Sequence, residues 1–127
     1  MFDSLKAAGA LAGLMKNKEA LKQSGERIKQ RLSELRAAGG SGGGAVRATI
    51  SGDMKLIAIT LEPAVCMGLA SGSELEKERA REQVQQLIVE AVNNASDIAK
   101  SMAQREIAKE AEALGLPNMP GLEGLLG

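Results

Sequence analysis

The sequence predicts an α+β protein: a long N-terminal helix, an antiparallel β-hairpin or three-stranded sheet, and a long C-terminal helix. Three observations carry this expectation. Leu14, Leu21, Ile28 and Leu35 recur every seven residues, the spacing of a helical seam. Two runs of alternating apolar residues flank Gly52-Asp53, the pattern of paired strands around a turn. From Ser73 to about Leu114, apolar residues return to helical spacing.

The first helix has Leu11 and Leu32 on the companion column of its seam, where Lys18 and Gly25 interrupt it. Gly25 costs about 1 kcal/mol against alanine in a helix interior, so a kink or a close helix approach is expected there. The helix is expected to end at Ala37-Ala38, because the run Gly39 to Gly44 cannot sustain it. That run is no phosphate loop: it lacks the Gly-Lys-Ser/Thr element and follows a helix rather than a strand, so a flexible connector is expected.

In the next segment Val46, Ala48 and Ile50 alternate with Arg47, Thr49 and Ser51. The second run, Lys55 to Glu62, places Ile57, Ile59 and Leu61 on one face, and Pro63 ends it because proline cannot donate to the ladder. A third strand would fall in the connector or in Ala64–Leu69; the pattern leaves both open. After a loop of small residues, Ser73 suits a helix N-cap, and Glu74, Glu76 and Glu78 complement the positive end of the helix dipole. Val84, Ile88, Ala91, Ala95, Ile98 and Met102 form the seam of the last helix, widened by Leu87, Val92 and Ala99. Residues 1–114 read as one domain. Residues 115–127, rich in Gly, Pro, Leu and Met, have no periodicity and read as a mobile tail.

Composition excludes several functions. The 127 residues contain no His, Trp or Tyr, one Phe (Phe2) and one Cys (Cys66). Imidazole catalysis and imidazole metal ligation are excluded, as is a multi-thiolate zinc site. Base stacking on aromatic platforms has almost nothing to use. The carboxylates fall into no recognisable catalytic pairing, so neither an enzyme nor a cofactor is expected. The Gly/Ala-rich run Ala7 to Met15 lies between Lys6 and Lys16, but the helical spacing continues past it, so it reads as helix rather than signal segment. No stretch approaches the ~20 apolar residues of a membrane span, and a cytoplasmic protein with a reduced Cys66 is expected.

Sixteen basic residues balance sixteen acidic ones, yet unevenly. Residues 1–38 carry eight bases against four acids, a net of +4; residues 74–127 carry six against ten, a net of −4. Lys22, Lys29 and Arg36, seven apart, read as one column on the first helix, with Lys16, Lys18, Arg27 and Arg31 nearby. Members of such a column stand about 10 Å apart and can track a phosphate backbone. The same column also suits a solvated coiled-coil flank whose lysine stems cover apolar surface. An apolar stripe this long on a small chain further predicts a homodimer.

Several segments together resemble one family. Leu14-Met15-Lys16 and the charged helix after it, Gly44-Ala45-Val46-Arg47-Ala48-Thr49-Ile50-Ser51-Gly52, Ile59-Thr60-Leu61-Glu62-Pro63, Val92-Asn93-Asn94-Ala95 and the Gly/Pro/Met tail are similar, in order and spacing, to the YbaB/EbfC family of bacterial nucleoid-associated proteins. The resemblance implies a tweezer-like homodimer sharing an antiparallel sheet. It also implies binding to duplex DNA in the nucleoid without strong sequence preference. Carried onto this chain, the contacting residues would be Lys16, Lys18, Lys22, Lys29 and Arg31, to which the basic column adds Arg36, with Lys100, Arg105 and Lys109 on the last helix as weaker candidates; Asn93 and Asn94 would be structural. The rival reading is a protein–protein adaptor, gripping a DNA repair or replication protein through its arms and its Leu/Met tail.

Overall fold

The structure, a computed structural model, describes residues 2–113, with side chains from Lys18 onward. Helix α1 spans Phe2–Glu34, strand β1 Arg36–Ser41, β2 Val46–Ser51 and β3 Leu56–Leu61. Helix α2 spans Pro63–Ala70 and α3 Glu74–Ala113. The strands form one antiparallel sheet in the order β1-β2-β3. The α+β class and a 40-residue C-terminal helix agree with the sequence expectation.

The connector is where the structure corrects the sequence reading. Helix α1 ends at Glu34, not at Ala37-Ala38, and residues 36–41 form the third strand. Along β1 the buried residues Ala37, Gly39 and Ser41 alternate with the exposed Arg36, Ala38 and Gly40. All three inward residues are small because α3 lies directly against them. A Cβ on Gly39 would stand 2.3 Å from the backbone nitrogen of Ala95, closer than any side chain can approach. Gly39 therefore serves close strand–helix packing rather than flexibility. Ser41 donates its hydroxyl to the carbonyl of Leu87 at 2.5 Å, and Asn94 donates its amide to the carbonyl of Gly40 at 2.9 Å. Gly42, Gly43 and Gly44, all at positive φ, then turn the chain into β2, a conformation glycine adopts without strain.

Strands β2 and β3 pair as expected, around a turn in which Ser51 binds the Asp53 carboxylate. A register shift at Thr49/Ile50 pairs Ile50 with Leu56. Ala64–Leu69, expected as a loop, is helical: Pro63 ends the strand and opens α2, its missing N–H costing nothing at a first helical turn. Ser73 caps α3 by accepting from the Glu76 N–H at 3.2 Å, and the helix continues unbroken to Ala113, about 60 Å.

The core joins Ala37, Val46, Ala48 and Ile50 of the sheet to Ala91, Ala95 and Ala99 of α3. The expected α3 seam is only partly right. Ala91, Ala95 and Ala99 are buried and continue as Ala103, Ile107 and Ala111, whereas Ile98 is exposed. Alanines every fourth residue let the sheet, and then α1, approach the α3 backbone closely.

On α1 the seam is also narrower than expected. Leu32 is buried, Ile28 and Leu35 are half-buried, and Leu21 is 46% exposed. Gly25 marks neither a kink nor a close approach: α1 runs through it, and a Cβ there would meet nothing within 4 Å. The seam members Leu11 and Leu14 have side chains outside the described ones, and the tail 115–127 lies outside the described residues altogether.

Candidate nucleic-acid interface

The basic residues nominated by the sequence separate into distinct groups. At about 100° per residue, Lys18, Lys22 and Lys29 fall within about 40° of one another on α1. All three are exposed, and among the described residues no carboxylate lies within salt-bridge distance of them. The helix thus presents one outward cationic stripe. The backbone of Lys16 lies on the same helix, but its side chain is outside the described ones.

Arg36 does not belong to this column. It sits on β1, beyond the end of α1, and donates from Nη1 to the carbonyls of Ser33 at 2.7 Å and Leu35 at 2.9 Å. Its guanidinium closes the helix C-terminus, where cations suit the negative end of the dipole.

Arg31, with Arg27, faces the other way. Arg27 Nη2 lies 2.8 Å from Glu110 Oε1, and Arg31 Nη1 lies 3.1 Å from Glu110 Oε2. The Ser24 hydroxyl donates to Glu110 Oε1 at 2.7 Å. Glu110 is only 5% exposed, and these donors satisfy both of its oxygens. The Arg27 guanidinium, followed by the Ser24 hydroxyl, holds its carboxyl below the ordinary glutamate range despite opposing burial. Helical geometry puts Ser24, Arg27 and Arg31 roughly 170° around α1 from the lysine stripe. Spacing of three and four residues on α1 could have revealed one face holding Ser24, Arg27 and Arg31. Nothing local indicates that their partner is a glutamate 79 to 86 residues away.

On α3, Lys100, Arg105 and Lys109 are all exposed. Lys109 pairs with the half-buried Glu106 at 3.7 Å, one turn away, while its own side chain stays 72% exposed and reachable by a phosphate. Asn94 takes the structural role expected of it, bonded to β1.

A second exposed surface lies at β3. Helix α3 rests on β1 and β2, and one helix of about 10 Å diameter covers little more than two strands spaced ~4.8 Å apart. Ile59 pairs with Ala48, so it shares the helix-covered face, yet it remains 40% exposed beyond the edge of α3. Ile57 is 49% exposed and Leu56 equally so. The outer edge of β3 has no partner strand in the sheet.

Among the described residues no three His, Cys, Asp or Glu side chains group to hold a metal, and no helix is long and apolar enough to cross a membrane. Cys66 is an exposed thiol on α2, a helix rather than the expected loop. The fold and its surface define a class: small α+β proteins with a three-stranded sheet, helical arms and a cationic stripe on one arm.

The chain belongs to the YbaB/EbfC DNA-binding family, which it matches over residues 8–114. It is 33% identical over 101 residues to a nucleoid-associated protein of Chlorobium limicola, covering 80% of each chain. To a nucleoid-associated protein of Chlorobium chlorochromatii it is 33% identical over 99 residues, 78% of each chain. A nucleoid-associated protein of Pelodictyon phaeoclathratiforme is 34% identical over 92 residues, 70% of this chain and 72% of that one. The family is one of DNA-binding proteins, not of enzymes.

Proposed function

We propose that this protein acts in the cytoplasm, on the nucleoid, as a homodimer that binds duplex DNA through phosphate contacts, largely without reading sequence. The observation that carries the reading is the outward stripe of Lys18, Lys22 and Lys29, unpaired with any described carboxylate on a chain of zero net charge. Lysine ammonium groups on flexible stems suit phosphate oxygens better than base edges, so such contacts fix position without specifying sequence. Lys16 extends the same arm. Arg36, Lys100, Arg105 and Lys109 are secondary contacts, and Arg31 contributes only through whatever capacity its bond to Glu110 leaves.

The open edge of β3 supports the dimer. A second copy pairing along that edge would satisfy its open backbone groups and cover Leu56, Ile57 and Ile59. It would also join the two sheets and place two cationic arms on one assembly.

Fluorescence anisotropy of a labelled duplex, titrated with the protein at low and near-physiological salt, tests the reading. Binding should weaken steeply with salt as counterions compete for the phosphates. It should be insensitive to duplex sequence and lost when Lys18, Lys22 and Lys29 are changed together to Glu. Absence of binding at low salt would overturn the proposal.

A further inference from the structure

Helix α1 is held to the rest of the protomer at two places among the described residues. Near its C-terminus, Leu32 is buried against the hairpin, so close that a Cβ on Gly52 would stand 2.7 Å from the Leu32 carbonyl oxygen. Eight residues earlier, about 12 Å along the axis, the buried Ser24 and its neighbours reach Glu110 of α3. Ser24 and Leu32 are the only buried residues among the described side chains of α1, those of residues 18–34.

The two attachments differ in kind. The Leu32 attachment fixes only the C-terminal end of α1, where its backbone lies against Gly52 and Leu35 alone joins the helix to β1. The Glu110 attachment is directional: one carboxylate accepts from a hydroxyl and two guanidinium groups on one side of α1, in charge-assisted bonds with narrow geometry. It lies opposite Lys18, Lys22 and Lys29. Whatever holds this part of α1 against α3 decides where those lysines point.

We propose that Glu110 is a positioning residue for the DNA-binding arm: by gripping Ser24, Arg27 and Arg31 it fixes how α1 lies against α3 and keeps the lysine stripe turned outward. This rests on the DNA reading above. It assigns a role to the negative charge of Glu110 that runs against simple electrostatics, since a carboxylate by itself repels DNA.

The test uses the full chain with Cys66→Ser and spin labels on the exposed positions Gln23 of α1 and Gln104 of α3. Without DNA, the label-to-label distance distribution should be narrow in the parent and broad or shifted in Glu110→Gln. Ser24→Ala, which removes one hydrogen bond and no charge, should move it the same way by less. Duplex affinity of Glu110→Gln should fall although the change makes the protein more positive. If the released helix presents its lysines about a tenth of the time, the apparent Kd rises about tenfold. Ile50→Val, a destabilising change within the sheet, should leave both the distances and the affinity at parent values, which separates positioning from general loss of stability. An unchanged distance distribution, or an affinity equal to or above the parent's, overturns the proposal. A parent that binds no duplex at low salt defeats the DNA reading alone, and the distances still decide whether Glu110 sets the arm.

Discussion

Gly39 and Ala95 are in backbone-to-backbone contact: a methyl group on Gly39 would lie 2.3 Å from the Ala95 nitrogen and 2.7 Å from its Cα. Neither side can yield, because β1 is paired to β2 and Ala95 lies mid-helix. Gly39→Ala must therefore push α3 off the sheet, opening contacts among Ala37, Ala48 and Ala91. The expected loss is about 3 kcal/mol, the upper end of overpacking costs, read from the urea midpoint.

Gly25 behaves in the opposite way. A Cβ there meets nothing within 4 Å, and the residue sits within a continuous helix. Gly25→Ala should stabilise the protein by about 0.5–1 kcal/mol, chiefly by restricting the unfolded chain. A raised urea midpoint with an unchanged slope is the result expected. A lowered midpoint would mean that the position serves an interface absent from the protomer.

These two glycines show how far the sequence could be read. Alternation in 46–61 and helical spacing in 74–113 were legible because large apolar residues mark the buried face. The connector was not, since Ala37, Gly39 and Ser41 alternate in size too weakly to register. Their burial is imposed by α3, at Leu87, Ala91, Ala95 and Ala99, roughly fifty residues away. The interface shows the same division. Lys18, Lys22 and Lys29 form a stripe by local spacing alone. The diversion of Arg31 to Glu110 and the placement of Arg36 on a strand depend on tertiary structure.

Acid should weaken the fold through Glu110. Arg27 first, then Ser24, hold its carboxyl below the ordinary value of 4.5. A carboxyl whose folded value is depressed contributes stability above its unfolded value and loses it as pH falls through the folded one. Asp53, lowered chiefly by the Ser51 hydroxyl from an ordinary 3.8, adds the same trend further down. The Tm of the parent should therefore be nearly level above pH 4.5 as far as these groups are concerned, and should decline below it. Glu110→Gln should start lower and decline less, so that the two curves converge in acid. Parallel curves across this range in calorimetric scans would contradict the assignment.

Salt dependence of DNA binding can count the contacts. Each phosphate neutralised contributes about 0.9 to the slope of log affinity against log salt. Changing Lys18, Lys22 and Lys29 to Gln should lower that slope by about 2.7 if each meets one phosphate. Arg105→Gln with Lys109→Gln should lower it less, these residues lying on the other arm and Lys109 already facing Glu106. A slope unchanged by the triple substitution would place the binding surface elsewhere.

The exposed apolar face of β3 makes the dimer testable without DNA. Ile57 and Ile59 are 49% and 40% exposed in the protomer, so replacing both with Lys disturbs little inside it. In an assembly joined along β3, the same two lysines would bring four ammonium groups together at the two-fold axis, in surroundings too dry to solvate them. Ile57→Lys with Ile59→Lys should then shift the sedimenting species from dimer to monomer while far-ultraviolet circular dichroism stays that of the parent. Duplex affinity should fall as well, because each monomer carries one cationic arm and loses the gain of holding DNA at two sites. A variant that remained dimeric would move the interface away from β3. A parent that sedimented as a monomer would remove the dimer from the proposal, leaving DNA binding to a single arm.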